Sequence, residues 1–169
     1  MTSLKRFGLA ALFVIGAGLF TSSLARAQTP LTNTGVDPDA TGQATLTEVT
    51  SSDFWSDWYS NYAFEIYSGN LTLSCEGLTP GATYRVGPTQ VSRSKKGQTI
   101  VSYLYVTASD SGTLELATPV KYIRCLWQWV PDPHLDGYWE EVEYYCYKFS
   151  VDCKEKGKTY TAVLTGCLW

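Results

Sequence analysis

From Ala44 onward apolar residues recur at every second position. Tyr62, Phe64 and Ile66 show the pattern, followed by Leu71, Leu73 and Cys75, then Leu104 and Val106, then Leu114 and Leu116. Ile123, Cys125, Trp127 and Trp129 continue it, as do Tyr160, Ala162 and Leu164. A period of two puts alternate side chains on one face of a strand. The breaks carry turn residues: Ser68-Gly69-Asn70, Pro80-Gly81, Lys96-Gly97, Asp110-Ser111-Gly112, Pro131 to Gly137 and Glu155-Lys156-Gly157. The pattern predicts an all-β chain of about eight antiparallel strands packed as a two-sheet sandwich. One segment departs from it. Between Ser51 and Asn61, Trp55, Trp58 and Tyr59 follow a capping Ser52 or Asp53 at helical spacing, which predicts a single helical turn.

Two stretches lie outside the domain, expected over 43–169. Residues 1–27 read as a secretory signal: Lys5 and Arg6 precede an apolar run from Phe7 to Phe20, and Ala25-Arg26-Ala27 supplies a small-x-small cleavage site before Gln28. The run of about 14 apolar residues is short for a membrane span, so no anchor is expected after cleavage. Gln28 to Gly42, with Pro30, Gly35, Pro38 and Gly42 among threonines and aspartates, reads as a flexible leader. Asp37-Pro38-Asp39 reads as a turn, since two carboxylates are too few for calcium. The expected location is secreted or periplasmic, where disulfides form.

The chain of 169 residues has 13 basic and 16 acidic side chains, a formal charge of -3. Cleavage would remove Lys5, Arg6 and Arg26, leaving ten against sixteen and a charge of -6. An acidic surface repels phosphate backbones, so nucleic acid is not the expected partner.

Leu71 to Val86, the run LTLSCEGLTPGATYRV, resembles the strand, corner and strand of fibronectin type III and related immunoglobulin-like domains. Leu78, Pro80 and Tyr84 match the family's spacing. Ala82 stands where threonine is usual. Pro80-Gly81 suits the middle of a type II turn, and the resemblance implies that the Tyr84 hydroxyl bonds back to the chain a few residues upstream. It implies a sandwich and no activity. About 80 residues follow the corner, more than a fibronectin-type module needs, so the sandwich is larger or its topology differs.

Five cysteines, Cys75, Cys125, Cys146, Cys153 and Cys167, leave an odd thiol. A turn over Lys154 to Lys158 sets Cys146 and Cys167 across from each other within one position, and Cys125 with Cys146 is the runner-up. Two of these three are expected to be bridged, with Cys75 or Cys153 left over. An exposed Cys153 would allow a covalent dimer. No Cys-x₂-Cys pair accompanies the one histidine, so no metal and no cofactor are expected.

Catalytic chemistry finds little footing. His134 sits in a proline-rich loop where a solvated histidine is the ordinary reading. Glu141 and Glu143 on one strand face would stand about 6.6 Å apart, near the spacing of a glycoside-hydrolase pair, yet charged edge strands are common without catalysis. Asn70-Leu71-Thr72 matches a glycosylation acceptor. The expectation is a non-catalytic protein acting by surface recognition, with a structural or protein-protein interaction module of an extracellular or periplasmic assembly as the first alternative and a small secreted hydrolase as the second. Trp55, Trp58, Trp127, Trp129, Trp139 and Tyr145 are the candidate ligand-binding residues, for a polysaccharide or another extracellular protein.

Overall fold

A computed structural model describes residues 28–57, 61–153 and 161–169. The signal segment, Trp58, Tyr59 and the Lys154 to Lys158 turn lie outside the described residues. Among the described residues there are ten strands: β1 Thr29–Pro30, β2 Thr32–Asn33, β3 Thr41–Asp57, β4 Tyr62–Glu76, β5 Thr83–Arg93, β6 Thr99–Thr107, β7 Leu114–Asp132, β8 Leu135–Tyr144, β9 Tyr147–Cys153 and β10 Thr161–Leu168. They form two antiparallel five-stranded sheets, ordered β1-β3-β4-β7-β8 and β2-β10-β9-β5-β6. The protein is a disulfide-stabilised β-sandwich.

The alternating residues build its core. Leu71, Leu73 and Cys75 of β4, Leu114, Val120 and Tyr122 of β7, Tyr84 and Val86 of β5, and Tyr147, Phe149 and Val151 of β9 are all buried in one cluster. On β10 the neighbours Val163 and Leu164 are both buried, because a bulge between Ala162 and Leu164 resets the alternation. A bulge at Arg124 does the same on β7. Ile123 pairs with Ile66 but Cys125 pairs with Glu65, so Ile123 does not share the face of Cys125, Trp127 and Trp129 as periodicity alone implied.

The expected helical turn is instead the far end of β3, paired with β4 from Asp53↔Ile66 to Asp57↔Tyr62. A single turn must fix several dihedrals for one hydrogen bond, whereas each rung of a ladder joins a sheet already formed. The 28–42 segment also differs from its reading as a leader. β1 pairs with β3, β2 pairs with β10, and Leu31 N donates to Gly42 O at 2.8 Å. Asn33 fastens the following loop, its side-chain amide donating to the carbonyls of Asp37, Pro38 and Ala40. Turn-rich composition here encodes a tight crossing between sheets.

The Pro80 corner is a closed turn: Ala82 N donates to Thr79 O at 3.2 Å, and Gly81 takes φ 70°. Leu78 is buried beside it and donates its N–H to Gly112 O. The Tyr84 hydroxyl accepts the Thr79 N–H at 2.9 Å and donates to Asp37, which also receives the Thr79 hydroxyl at 2.7 Å. Burial first, then the bond to Asp37, pushes Tyr84 up to about 12.

Cys146 and Cys167 form the disulfide, with Cα atoms 5.5 Å apart. Cys125 is a buried thiol, as is Cys75. Cys153 is only 9% exposed, which corrects its placement on the surface.

Candidate recognition surface

β3, β4, β7 and β8 continue together past the bulges, and their register defines one face. Phe54, Glu65, Cys125 and Tyr144 form a rung; Ser56, Ala63, Trp127 and Glu141 form the next on that face, followed by Trp129 opposite Trp139. The rings on these rungs touch. Phe54 lies 6.4 Å from Trp127 and 5.7 Å from Trp139, and Trp129 lies 5.4 Å from Trp139, with interplanar angles of 62°, 77° and 69°. All three contacts are edge-to-face. Phe54 is 46% exposed and the three tryptophans are half-buried, so the rings form an open ridge. Trp127 keeps its indole nitrogen buried without an acceptor among the described residues, leaving its ring as what it presents.

Gly137 makes room for this packing. A Cβ there would stand 2.4 Å from Trp129 Cζ2, and its φ of 96° belongs to glycine.

Polar groups flank the ridge. The Glu141 carboxylate, accepting the Tyr144 hydroxyl, pushes that phenol up to about 12. Arg124 stands 4.8 Å above the Tyr67 ring, whose hydroxyl is pushed up by burial and then by Glu65. Burial, then Glu141 and Glu65, pushes the Cys125 thiol up to about 11.

Two of the predicted residues stand apart. Trp55 shares its rung with Phe64, Leu126 and Glu143, on the opposite face, where its indole bonds Asp53 and holds that carboxyl below the usual range. Tyr145 lies between β8 and β9, donating its N–H to Arg124 O and its hydroxyl to Glu143 at 2.9 Å. It lines a separate apolar cavity of about 390 Å³ with Phe64, Val91 and Ile123. The aromatics from Tyr138 to Phe149 divide between two surfaces, because β8 belongs to one sheet and β9 to the other. Phe54, Glu65 and Gly137 are the members that sequence reading missed.

The proposed carboxylate pair is also split. A bulge at Val142 sets Glu141 opposite Trp127 and Glu143 opposite Leu126, on opposite faces of the sheet. His134 is exposed, its N–H bonded to Asp132 at 2.7 Å. Asn70 lies inside β4, paired on both sides and donating its amide to Glu48. Among the described residues no three His, Cys, Asp or Glu side chains converge as a metal site would require.

A second concavity of about 630 Å³ runs over the other sheet, lined by Arg85, Tyr103, Lys148 and Ser150. Arg85 spans it, paired to Asp152 at 2.5 Å and stacked 4.6 Å over the Tyr103 ring.

No protein-family model, curated protein or solved structure matches the chain.

Proposed function

We propose that this is an exported recognition protein whose ligand is a carbohydrate seated on the Phe54, Trp127, Trp129 and Trp139 ridge. The observation that carries this reading is four touching rings left open along one sheet face, with the Glu141 and Tyr144 oxygens beside them. Ring faces stack on the apolar faces of sugars while neighbouring oxygens bond their hydroxyls. Edge-to-face packing leaves no two rings coplanar, which favours a flexible, twisted glycan over a flat crystalline surface. The signal-like segment and the Cys146–Cys167 disulfide support an oxidising compartment. The Leu78, Pro80 and Tyr84 corner supports reading the sandwich as fibronectin type III-like.

Tryptophan fluorescence titrated with a panel of soluble polysaccharides tests the proposal, with co-sedimentation on cellulose, chitin and peptidoglycan. The expected result is saturable, salt-insensitive binding to a soluble glycan. Trp127→Ala or Trp139→Ala then weakens affinity by about tenfold or more, while Trp55→Ala leaves it unchanged. Absence of binding across the panel overturns the reading. A protein partner is the second reading, favoured by Tyr138 and Val142, each about half exposed on β8.

A further inference from the structure

The apolar cavity of about 390 Å³ beside Tyr145 lies where the two sheets meet, lined from β4 and β7 on one side and from β5, β6 and β9 on the other. That volume is ordinary for a small-molecule site. Phe64, Val91, Val101 and Ile123 contribute its apolar wall. Val91 and Tyr147 are buried at its base, whereas Thr99 and Val101 are exposed, so it opens beside β6. Polar groups along the wall are engaged within the protein. The Tyr147 hydroxyl donates to Pro88 O at 2.6 Å, the Tyr145 hydroxyl donates to Glu143, and Cys146 is held in the disulfide. What the interior offers a ligand is apolar contact.

The mouth is basic. β5 and β6 pair Val91 with Val101 and Arg93 with Thr99, so Arg93 stands on the next rung of the cavity-facing side. Its Nε donates to Gly97 O at 3.3 Å and its Nη1 to Ser56 O at 2.9 Å, which fixes the guanidinium without neutralising it. No carboxylate pairs with Arg93 among the described residues. Lys121 and Lys148 line the cavity itself, and the adjoining turn carries Lys95 and Lys96. Lys121 is paired with Asp53 at 3.4 Å. Ten basic side chains lie beyond residue 27 against sixteen acidic, and five of the ten are these. A basic mouth on an apolar cavity, in a chain with an acidic excess, is complementary to an alkyl chain that ends in a negative charge.

We propose that this cavity binds a single-chain carboxylate amphiphile, its alkyl tail between the sheets and its head group at Arg93. A guanidinium suits that head group because its donors lie in one plane and match the two carboxylate oxygens. The site is separate from the aromatic ridge, since Phe54, Trp127, Trp129 and Trp139 take no part in lining it.

Equilibrium dialysis of radiolabelled octanoate, decanoate and dodecanoate against the protein expressed from its full sequence reads the binding. Each amphiphile is kept below the concentration at which it self-associates. The expected result is saturable one-to-one binding that tightens about fourfold with each added methylene. Dodecyltrimethylammonium, with the same tail and the opposite charge, is expected to bind at least about tenfold more weakly than dodecanoate. Arg93→Glu and Val101→Glu alter exposed positions and are checked for folding by circular dichroism. Each is expected to weaken dodecanoate binding by about tenfold or more, while Trp127→Ala leaves it unchanged. Absence of binding overturns the proposal, as does equal affinity for the cationic amphiphile. So does affinity that survives either glutamate substitution in a folded protein. Loss of binding in Trp127→Ala would place the alkyl chain on the ridge, and association with phosphatidylglycerol vesicles but not with the free carboxylates would make a bilayer the ligand; either result overturns the proposal.

Discussion

Tyr84 and Asp37 stand 47 positions apart in the chain, and one short contact between them closes the N-terminal crossing onto the Pro80 corner. Half of this contact is legible in the sequence. The Leu78, Pro80 and Tyr84 spacing points to a hydroxyl bonding upstream, and the Thr79 N–H is the group found there. Its other half is not legible. A lone aspartate in a turn-rich stretch carries no signal of a partner so distant, and only the fold shows that Asp37 is buried and accepts two hydroxyls. Tyr84→Phe is expected to cost about 1–3 kcal/mol in urea unfolding, because it strips a donor from a buried carboxylate and an acceptor from a backbone N–H. A change below about 0.5 kcal/mol would show that water replaces the hydroxyl at no cost.

Strands were legible where the period of two runs uninterrupted, and illegible where a bulge resets it. The Cys146–Cys167 bridge illustrates both. Simple hairpin counting places the two residues across from each other, yet β10 actually pairs Cys167 with Lys148, so the bridge runs diagonally. The extra residue near Val163 moved the register while leaving the sulfurs within reach. Bulges at Arg124 and Val142 likewise re-aimed Ile123 and separated Glu141 from Glu143, which no propensity scale anticipates. For β3, local spacing favoured a turn of helix, and pairing with a strand already in place overrode it. The disulfide closes a separation of 21 residues. Replacing both cysteines by serine is expected to lower unfolding free energy by about 3 kcal/mol, measured by denaturant titration of the two proteins side by side. An unchanged midpoint would place the stability of β9 and β10 in their ladder and packing alone.

At the scale of the molecule, all-β character and the sandwich were readable from composition and alternation, whereas sheet order and the meeting of Phe54 with Trp127 and Trp139 depended on which strands became neighbours. The core also sets an alkaline limit. Burial pushes Cys75 up to about 12, Tyr84 rises to about 12 and Tyr147 rises further still. The folded state thus holds these protons more tightly than the unfolded chain, in which a thiol titrates near 9 and a phenol near 10. Their contribution is complete below pH 9 and is lost as the pH rises from there through about 12. Melting temperatures followed by circular dichroism are expected to hold up to pH 9 and fall steeply between pH 10 and 12, less steeply in Tyr84→Phe. A flat profile to pH 12 would contradict the burial of these groups.

β2 lies against β10, near the far end of the chain, where the Thr165 hydroxyl reaches Thr32 O across 133 positions. Closing that edge requires both segments to be present together. A chain emerging lengthwise from a ribosome cannot seat β2 until residues beyond Thr161 have emerged. Long-range pairing of this kind folds slowly, with most of its entropy cost met before the contacts form. Because β10 lies between β2 and β9, that edge of the second sheet closes only once nearly all of the chain is available.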